Sequence, residues 1–328
     1  MISTVAMVLG LSAIAGGSGE PAAWTPAEFR GWFEEARAGT LVIPRRVARE
    51  ARRFRYVFVG GFASERLPGY FKRNAKTLRA HGVPKGAIHM VFPSSRGTIE
   101  ENAEEFRRRL REIADEGPER LVIVAHSRGA CNTLLFALRE PGFVRDRVEA
   151  IFLVQGTFGG SALADYVLGD GPALDRSLPL RFRVVAFALG RLERVLFHRG
   201  KHAGLSGLSR EGSRRFWKAM LADHASSVPV VGPKTFYLRS ESGPRHLGLF
   251  RRAAGWYLST YVGPNDGVVA VEDQMLQGLG TCLGVIDCGH DEMVRKPRSG
   301  RSHRRLREAL AESVLMAVGT RALVESPR

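Results

Sequence analysis

The run Leu121-Val-Ile-Val-Ala125-His126-Ser127-Arg128-Gly129-Ala130 constrains this chain more than any other segment. Four apolar, mostly β-branched residues read as a strand buried on both faces. The small-x-Ser-x-Gly that follows is the pattern of a sharp strand-to-helix turn that lifts one serine out of a sheet. Ala125 and Gly129 occupy positions where larger side chains would collide across the turn, and Ala130 lets the helix pack close to the strand. Ala at 125, where Gly is usual, is a mild steric departure. The turn also points the first N–H groups of the helix at the space above Ser127. Serine before a helix is equally the pattern of an N-cap, so this segment alone leaves catalysis and capping both open.

Two later segments bear on that choice. Gly263-Pro264-Asn265-Asp266-Gly267-Val268-Val269 is a polar turn before an apolar pair, and Leu283-Gly-Val-Ile-Asp287-Cys288-Gly289-His290 is a short strand ending in Gly-His. A serine hydroxyl is a poor nucleophile at neutral pH and needs a base, here His290. Asp266 would orient that imidazole and stabilise its protonated form. The order Ser127, Asp266, His290 is one in which such triads occur. Its intervals leave room for a strand plus an insertion, then for one helix and one strand. His126 adjoins the serine, so its side chain should diverge from it. His198, His202, His224 and His303 read as surface residues. Among acids, Asp287 lies on the His-bearing strand itself, and the strand after the elbow ends in Gln155, which is no carboxylate. Upstream, Phe54–Val59 reads as a core strand opening into Gly60-Gly61-Phe62. The backbone N–H groups of Phe62 and Arg128 are the candidate oxyanion donors.

These segments resemble the α/β-hydrolase superfamily and, more narrowly, the bacterial triacylglycerol (true) lipases. Gly60-Gly61-Phe62 stands where that family has His-Gly-Phe. The elbow keeps the family's His before the serine. Thr157-Phe-Gly-Gly160-Ser161-Ala-Leu-Ala-Asp165 resembles its Thr-Pro-His-x-Gly-Ser-x-x-Ala-Asp segment, Leu208–Phe216 its cap stretch, and Asn265–Val269 its acid turn. The resemblance spans residues 54–294. It implies an α/β-hydrolase fold, a mostly parallel sheet flanked by helices with an inserted lid. It further implies a serine hydrolase that cleaves carboxylic esters through an acyl-enzyme on Ser127, with an ester or lipid substrate and no cofactor. Thioesterase, polyester depolymerase and acyltransferase activities use the same triad, and a non-catalytic binding protein could keep the scaffold. Related lipases hold calcium near the catalytic His through an Asp two residues later and a Gln beyond. Here Glu292 and Lys296 fall near those positions, and a cation crowding the site argues for no metal.

The 328 residues, 44% of them hydrophobic, suffice for one large core. The expected layout is a signal or N-terminal helix over 1–23, a hydrolase core over 24–159 and 233–328, and a cap over 160–232. Thr25–Glu28 and Thr98–Glu101 have capping-box spacing. The second should open a helix with Ala103, Phe106, Leu110 and Ile113 on one face and Glu104–Arg108 and Glu105–Arg109 pairs on the other. Gly86–Phe92, Val148–Gln155 and Lys234–Ser240 read as further strands. A last helix carrying Leu306, Leu310, Val314 and Ala317 should end near Gly319. Within the cap, the apolar stretch Phe182–Phe197 reads either as core packing or as a lid over an acyl pocket, with Arg191, Arg194 and Arg199 outward.

Met1–Ala15 is apolar, with Ala13-Ile-Ala15 as a candidate cleavage site but no preceding Lys or Arg. Export and retention therefore stand side by side. The three cysteines form no disulfide framework. Cys282 and Cys288 flank one strand that would hold them about 17–20 Å apart, and Cys131 should be buried behind the elbow. The net charge of +16 includes a basic run from Arg295 to Arg307 with no acid inside it. Such a run binds phosphates in general, but no nucleic-acid motif accompanies it. A solvated arginine-rich face, or contact with anionic lipid surfaces, fits a monomeric lipolytic enzyme better.

Overall fold

The computed structural model describes residues 23–168, 207–247, 249–296 and 304–325. The segments Met1–Ala15 and Phe182–Phe197, with His198, His202 and His303, lie outside them. Among the described residues six strands form one parallel sheet: β1 (Arg55–Val59), β2 (Ile88–Val91), β3 (Leu121–His126), β4 (Val148–Val154), β5 (Thr235–Glu241) and β6 (Thr281–Asp287). Their spatial order is β2-β1-β3-β4-β5-β6. Helices cover both faces, so the central strands read as near-continuous apolar runs. Alternation splits each run between two cores. Val57, Ile123, Ile151 and Tyr237 face one core; Phe58, Val124, Phe152 and Leu238 face the other.

The first core lies under α4 (Ile99–Asp115) and α5 (Arg128–Arg139), which pack on each other. The Thr98 capping box is formed, and Ala103, Phe106, Leu110 and Ile113 are buried. The outer ion pairs differ from the expected ones. Glu104 pairs with Arg107, while Arg108 and Arg109 both turn to Glu112. A Glu N-terminal to its Arg pairs well at either i+3 or i+4, and the two later arginines converge on one acid. Trp217, on the helix Arg210–Asp223, is buried in this same core and packs edge-on against Phe158.

The opposite core is closed by the helices Pro26–Ala38 and Arg304–Glu325. Thr25 caps the first through a complete capping box, and Phe29 and Phe33 are fully buried. The last helix runs six residues past the expected stop at Gly319. Gly319 is not a cap. A Cβ there would sit 2.4 Å from the Val47 carbonyl oxygen, so the glycine permits close contact with the helix Arg45–Ala51. Gly319→Ala should therefore destabilise the protein by about 1–3 kcal/mol through overpacking. At an ordinary exposed helical site the same change would stabilise by about 1 kcal/mol. Denaturant unfolding reads the sign directly.

The chain leaves β1 for β2 on one side and returns to β3 on the other. The sheet therefore reverses its winding between β1 and β3. In open parallel sheets the carboxyl ends of strands flanking such a reversal frame a crevice where ligands bind. Gly60-Gly61-Phe62 and Ser127 follow those two strands.

Candidate active site

Ser127 sits between β3 and α5 with φ 56° and ψ −130°, a backbone conformation costly for any residue with a side chain. Its N–H donates to the Val154 carbonyl at 2.9 Å, which pins the turn to β4. Glycine at 129 is required by close approach: a Cβ there would lie 2.4 Å from the Gly60 carbonyl oxygen. The turn after β1 passes directly over the serine. A Cβ on Gly61 would come within 2.7 Å of the Ser127 Cβ. Phe62 follows in that turn, and Arg128 is the first residue of α5, where N–H groups have no carbonyl four residues back to accept them.

The three residues singled out by order and context come together. Ser127 Oγ lies 2.9 Å from His290 Nε2, and His290 Nδ1 lies 2.7 Å from Asp266 Oδ2. All three are buried, Asp266 completely. The Asp266 carboxylate is satisfied on every side. Oδ1 accepts from the N–H groups of Val268 and Val269 at 3.0 and 2.9 Å, and Oδ2 accepts from Ser240 Oγ and Gln274 Nε2, both at 3.2 Å. The backbone adds a tie, since the His290 N–H donates to the Asp266 carbonyl at 3.0 Å. Ser161 and Asp165 support the same corner. Ser161 Oγ donates to the Val268 carbonyl, and Asp165 accepts from the N–H of Arg210.

The His126 side chain bonds to Tyr70, Gln155 and the His290 carbonyl, a part that sequence reading did not assign it. It is buried beneath the His290 ring, their centroids 4.9 Å apart. Its Nε2 has two acceptors, the His290 carbonyl at 2.6 Å and Gln155 Oε1 at 3.1 Å. The proton therefore sits on Nε2, and Nδ1 accepts from the Tyr70 hydroxyl at 2.6 Å. Gln155 passes the network on, its amide nitrogen donating to Ser240 Oγ at 2.5 Å and to the Gly289 carbonyl at 3.1 Å. Residues at the ends of β3, β4, β5 and β6 are thus bonded in one chain beneath the serine. Sequence reading missed Tyr70, Gln155, Ser240 and Gln274. The single signal was a glutamine ending a buried strand, where an unpaired amide would be costly.

Beside the site, Asp291 meets the guanidinium groups of Arg251 and Arg295, the latter at 2.6 Å. Burial opposes its ionisation, but the two arginines outweigh burial and hold the carboxyl well below the usual carboxylate range. Glu292 accepts from the Gly289 N–H at 3.2 Å. This donor set does not fit calcium, because the carboxylate best placed for a cation already carries two. Among the described residues no group of three or more His, Cys, Asp or Glu side chains could hold a metal.

Among the described residues of the basic run, several cations meet groups that lie outside it. Arg304 and Arg305 pair with Glu308, and buried Arg307 donates to the carbonyls of Glu292 and Arg295. All three cysteines are free, with Cys131 buried. No described helix is long and apolar enough to cross a membrane.

No protein-family profile and no curated protein matches this sequence. Among solved structures, a metagenomic carboxyl esterase is 20% identical and superposes with a TM-score of 0.54, over 80% of this chain and 76% of that one. The mature form of the lipase BlEst2 from Bacillus licheniformis is 18% identical, with a TM-score of 0.49 over 72% of this chain and 84% of its own. With its parallel sheet, its flanking helices and the likeness to the carboxyl esterase, the chain has the α/β-hydrolase fold.

Burial, with the His290 ring beside it, pushes the His126 imidazole down to about 3. In the unfolded chain the same group titrates near 6.5. Between those values the unfolded state binds a proton that the folded state refuses. This contribution to stability is therefore present above about 6.5 and is lost as pH falls toward 3, by at most about 1.4 kcal/mol per pH unit. Denaturant unfolding from pH 7 to pH 4 should show a steeper loss for the native protein than for His126→Gln. Parallel curves would mean that His126 takes up its proton in the folded state.

Proposed function

We propose that this chain is a serine hydrolase that cleaves carboxylic esters through an acyl-enzyme on Ser127. The observation that carries the reading is the unbroken line from Ser127 Oγ through His290 to the buried Asp266, at 2.9 and 2.7 Å. In this reading His290 Nε2 takes the hydroxyl proton as Oγ attacks the ester carbonyl carbon. Asp266, bonded at Nδ1, stabilises the imidazolium. The oxyanion of the tetrahedral intermediate would be met by the N–H groups of Phe62 and Arg128, a pair supported by the close passage of the 60–62 turn over Ser127. His290 then gives its proton to the departing alkoxide. Water, deprotonated by the same imidazole, attacks the acyl-enzyme and returns the carboxylic acid, with the proton restored to Oγ.

Ser127→Ala should abolish hydrolysis of p-nitrophenyl butyrate, and Asp266→Asn should lower kcat by roughly 10⁴-fold with the fold retained. A fluorophosphonate probe should label the native protein at Ser127. An unlabelled native protein would identify a scaffold that binds rather than reacts. The reaction needs no metal in this reading, so a chelator should leave the rate unchanged.

We propose that the substrate carries a medium or long acyl chain, a reading supported only by the apolar composition of Phe182–Phe197, which lies outside the described residues. Rates from acetyl to palmitoyl esters, with and without emulsified lipid, should rise with chain length and at the interface. A maximum at acetyl with no interfacial gain would define a small-ester esterase instead.

A further inference from the structure

A cleft of about 580 Å³ opens beside the 60–62 turn, and neither Ser127, Asp266 nor His290 lines it. It lies between the loop 64–70, the helix Lys72–Ala80 and the end of β2, the edge strand. Its floor is apolar, made of Leu67, Met90 and Phe92, and Phe92 leaves 37% of its surface exposed. The walls carry cations. Lys72, Lys76 and Arg79 fall at i, i+4 and i+7 on one face of the helix, a span of about 10 Å, and Arg66 comes from the facing loop.

The charge on this face is unbalanced. On the same helix, Arg73 is paired with Glu308, and along α4 the arginines are matched to Glu104 and Glu112. Among the described residues no carboxylate lies within ion-pair distance of Lys72, Lys76 or Arg79. The single acid of the cleft, Glu65, is drawn to the Ser95 hydroxyl at 2.8 Å and stands 3.9 Å from Arg66. An apolar floor under a cationic wall is complementary to one ligand shape, a multiply charged anionic head with an alkyl tail. Phosphate suits the mixed Lys and Arg wall better than a single carboxylate, because it offers several acceptor oxygens to donors spread along the helix.

We infer that this cleft is a binding site for a phosphate-bearing amphiphile, taken as a single molecule and separate from the ester site. It does not rest on the proposed hydrolysis. A ligand there would lie against the back of the turn, since Ser64 and Phe92 are the side chains that a Cβ on Gly60 would strike. Tyr70 lines the cleft and bonds His126 beneath the serine, so the two sites share supporting residues but no reacting atom.

Calorimetric titration of the intact protein with dodecyl phosphate, below its micelle concentration, tests the inference. One-to-one binding is expected, at least tenfold tighter than inorganic phosphate or the uncharged dodecyl maltoside, and weakening with salt. Equal affinity for inorganic phosphate would overturn the amphiphile, and equal affinity for the maltoside would overturn the phosphate. The double variant Lys76→Glu/Arg79→Glu, altered at two exposed positions, should bind at least tenfold more weakly with its unfolding temperature kept. Undiminished binding would place the ligand elsewhere and sink the site. Leu67→Ser should weaken the dodecyl compound several-fold and leave inorganic phosphate untouched; no change would remove the apolar floor from the argument. Binding to phosphatidylglycerol vesicles without binding of the monomer would likewise overturn it, in favour of a flat lipid-surface contact.

Discussion

The architecture around the serine depends on keeping one carboxylate, Asp266, wholly out of water. An isolated carboxylate in such a place is prohibitively costly unless its oxygens are matched by donors. The match draws on distant segments. Its own turn supplies two backbone N–H groups, β5 supplies Ser240, the loop after that turn supplies Gln274, and the strand-end loop supplies His290. Gln274 is held in turn by the backbone of Ser240, accepting from its N–H and donating to its carbonyl. Satisfying one buried charge therefore fixes the relative positions of β5, the acid turn and the loop that carries the histidine.

The parallel sheet makes that convergence geometrically available. All six strands point the same way, so every loop that follows a strand emerges at one edge. The turn after β1, the elbow after β3, Gln155 after β4 and His290 after β6 meet there. Beneath them the Tyr70–His126–Gln155–Ser240 network uses nearly every donor and acceptor it exposes to the core. Such a fully bonded polar layer is rigid for the same reason that a half-bonded one would be unstable.

The strong positive charge is partly structural. Arg128 spends its guanidinium on the carbonyls of Ser95 and Gly97, Arg147 on those of Ala114 and Gly117, and Lys234 on three carbonyls at the end of the helix Pro141–Arg147 and the start of β4. Cations near helix C-termini also meet the negative end of the dipole. Others, such as Arg251 and Arg295 around Asp291, neutralise buried acids. Part of the excess is thus committed to holding loops and helix ends. In the cleft beside β2, Lys72, Lys76 and Arg79 have no carboxylate within ion-pair distance among the described residues, while Arg66 stands 3.9 Å from Glu65.

Local sequence was enough for whatever depends on neighbouring residues. Apolar runs marked the strands at 121–126, 148–154 and 235–241, capping boxes marked two helix starts, and small residues at 125, 129 and 130 marked the turn that exposes Ser127. Chain order and residue type also singled out Ser127, Asp266 and His290 before any distance was known. Contacts between distant segments had no such local signature. Gly319 read as a helix stop, because the carbonyl of Val47 that requires a glycine there is nearly the whole chain away. The pairing of α4 arginines depended on which rotamers reach Glu112, and the roles of Tyr70, His126 and Gln155 depended on four strand ends meeting. Periodicity and turn chemistry are short-range properties written in consecutive residues. The burial of Asp266, the network beneath it and the charge balance of each surface exist only once the sheet has brought those residues together.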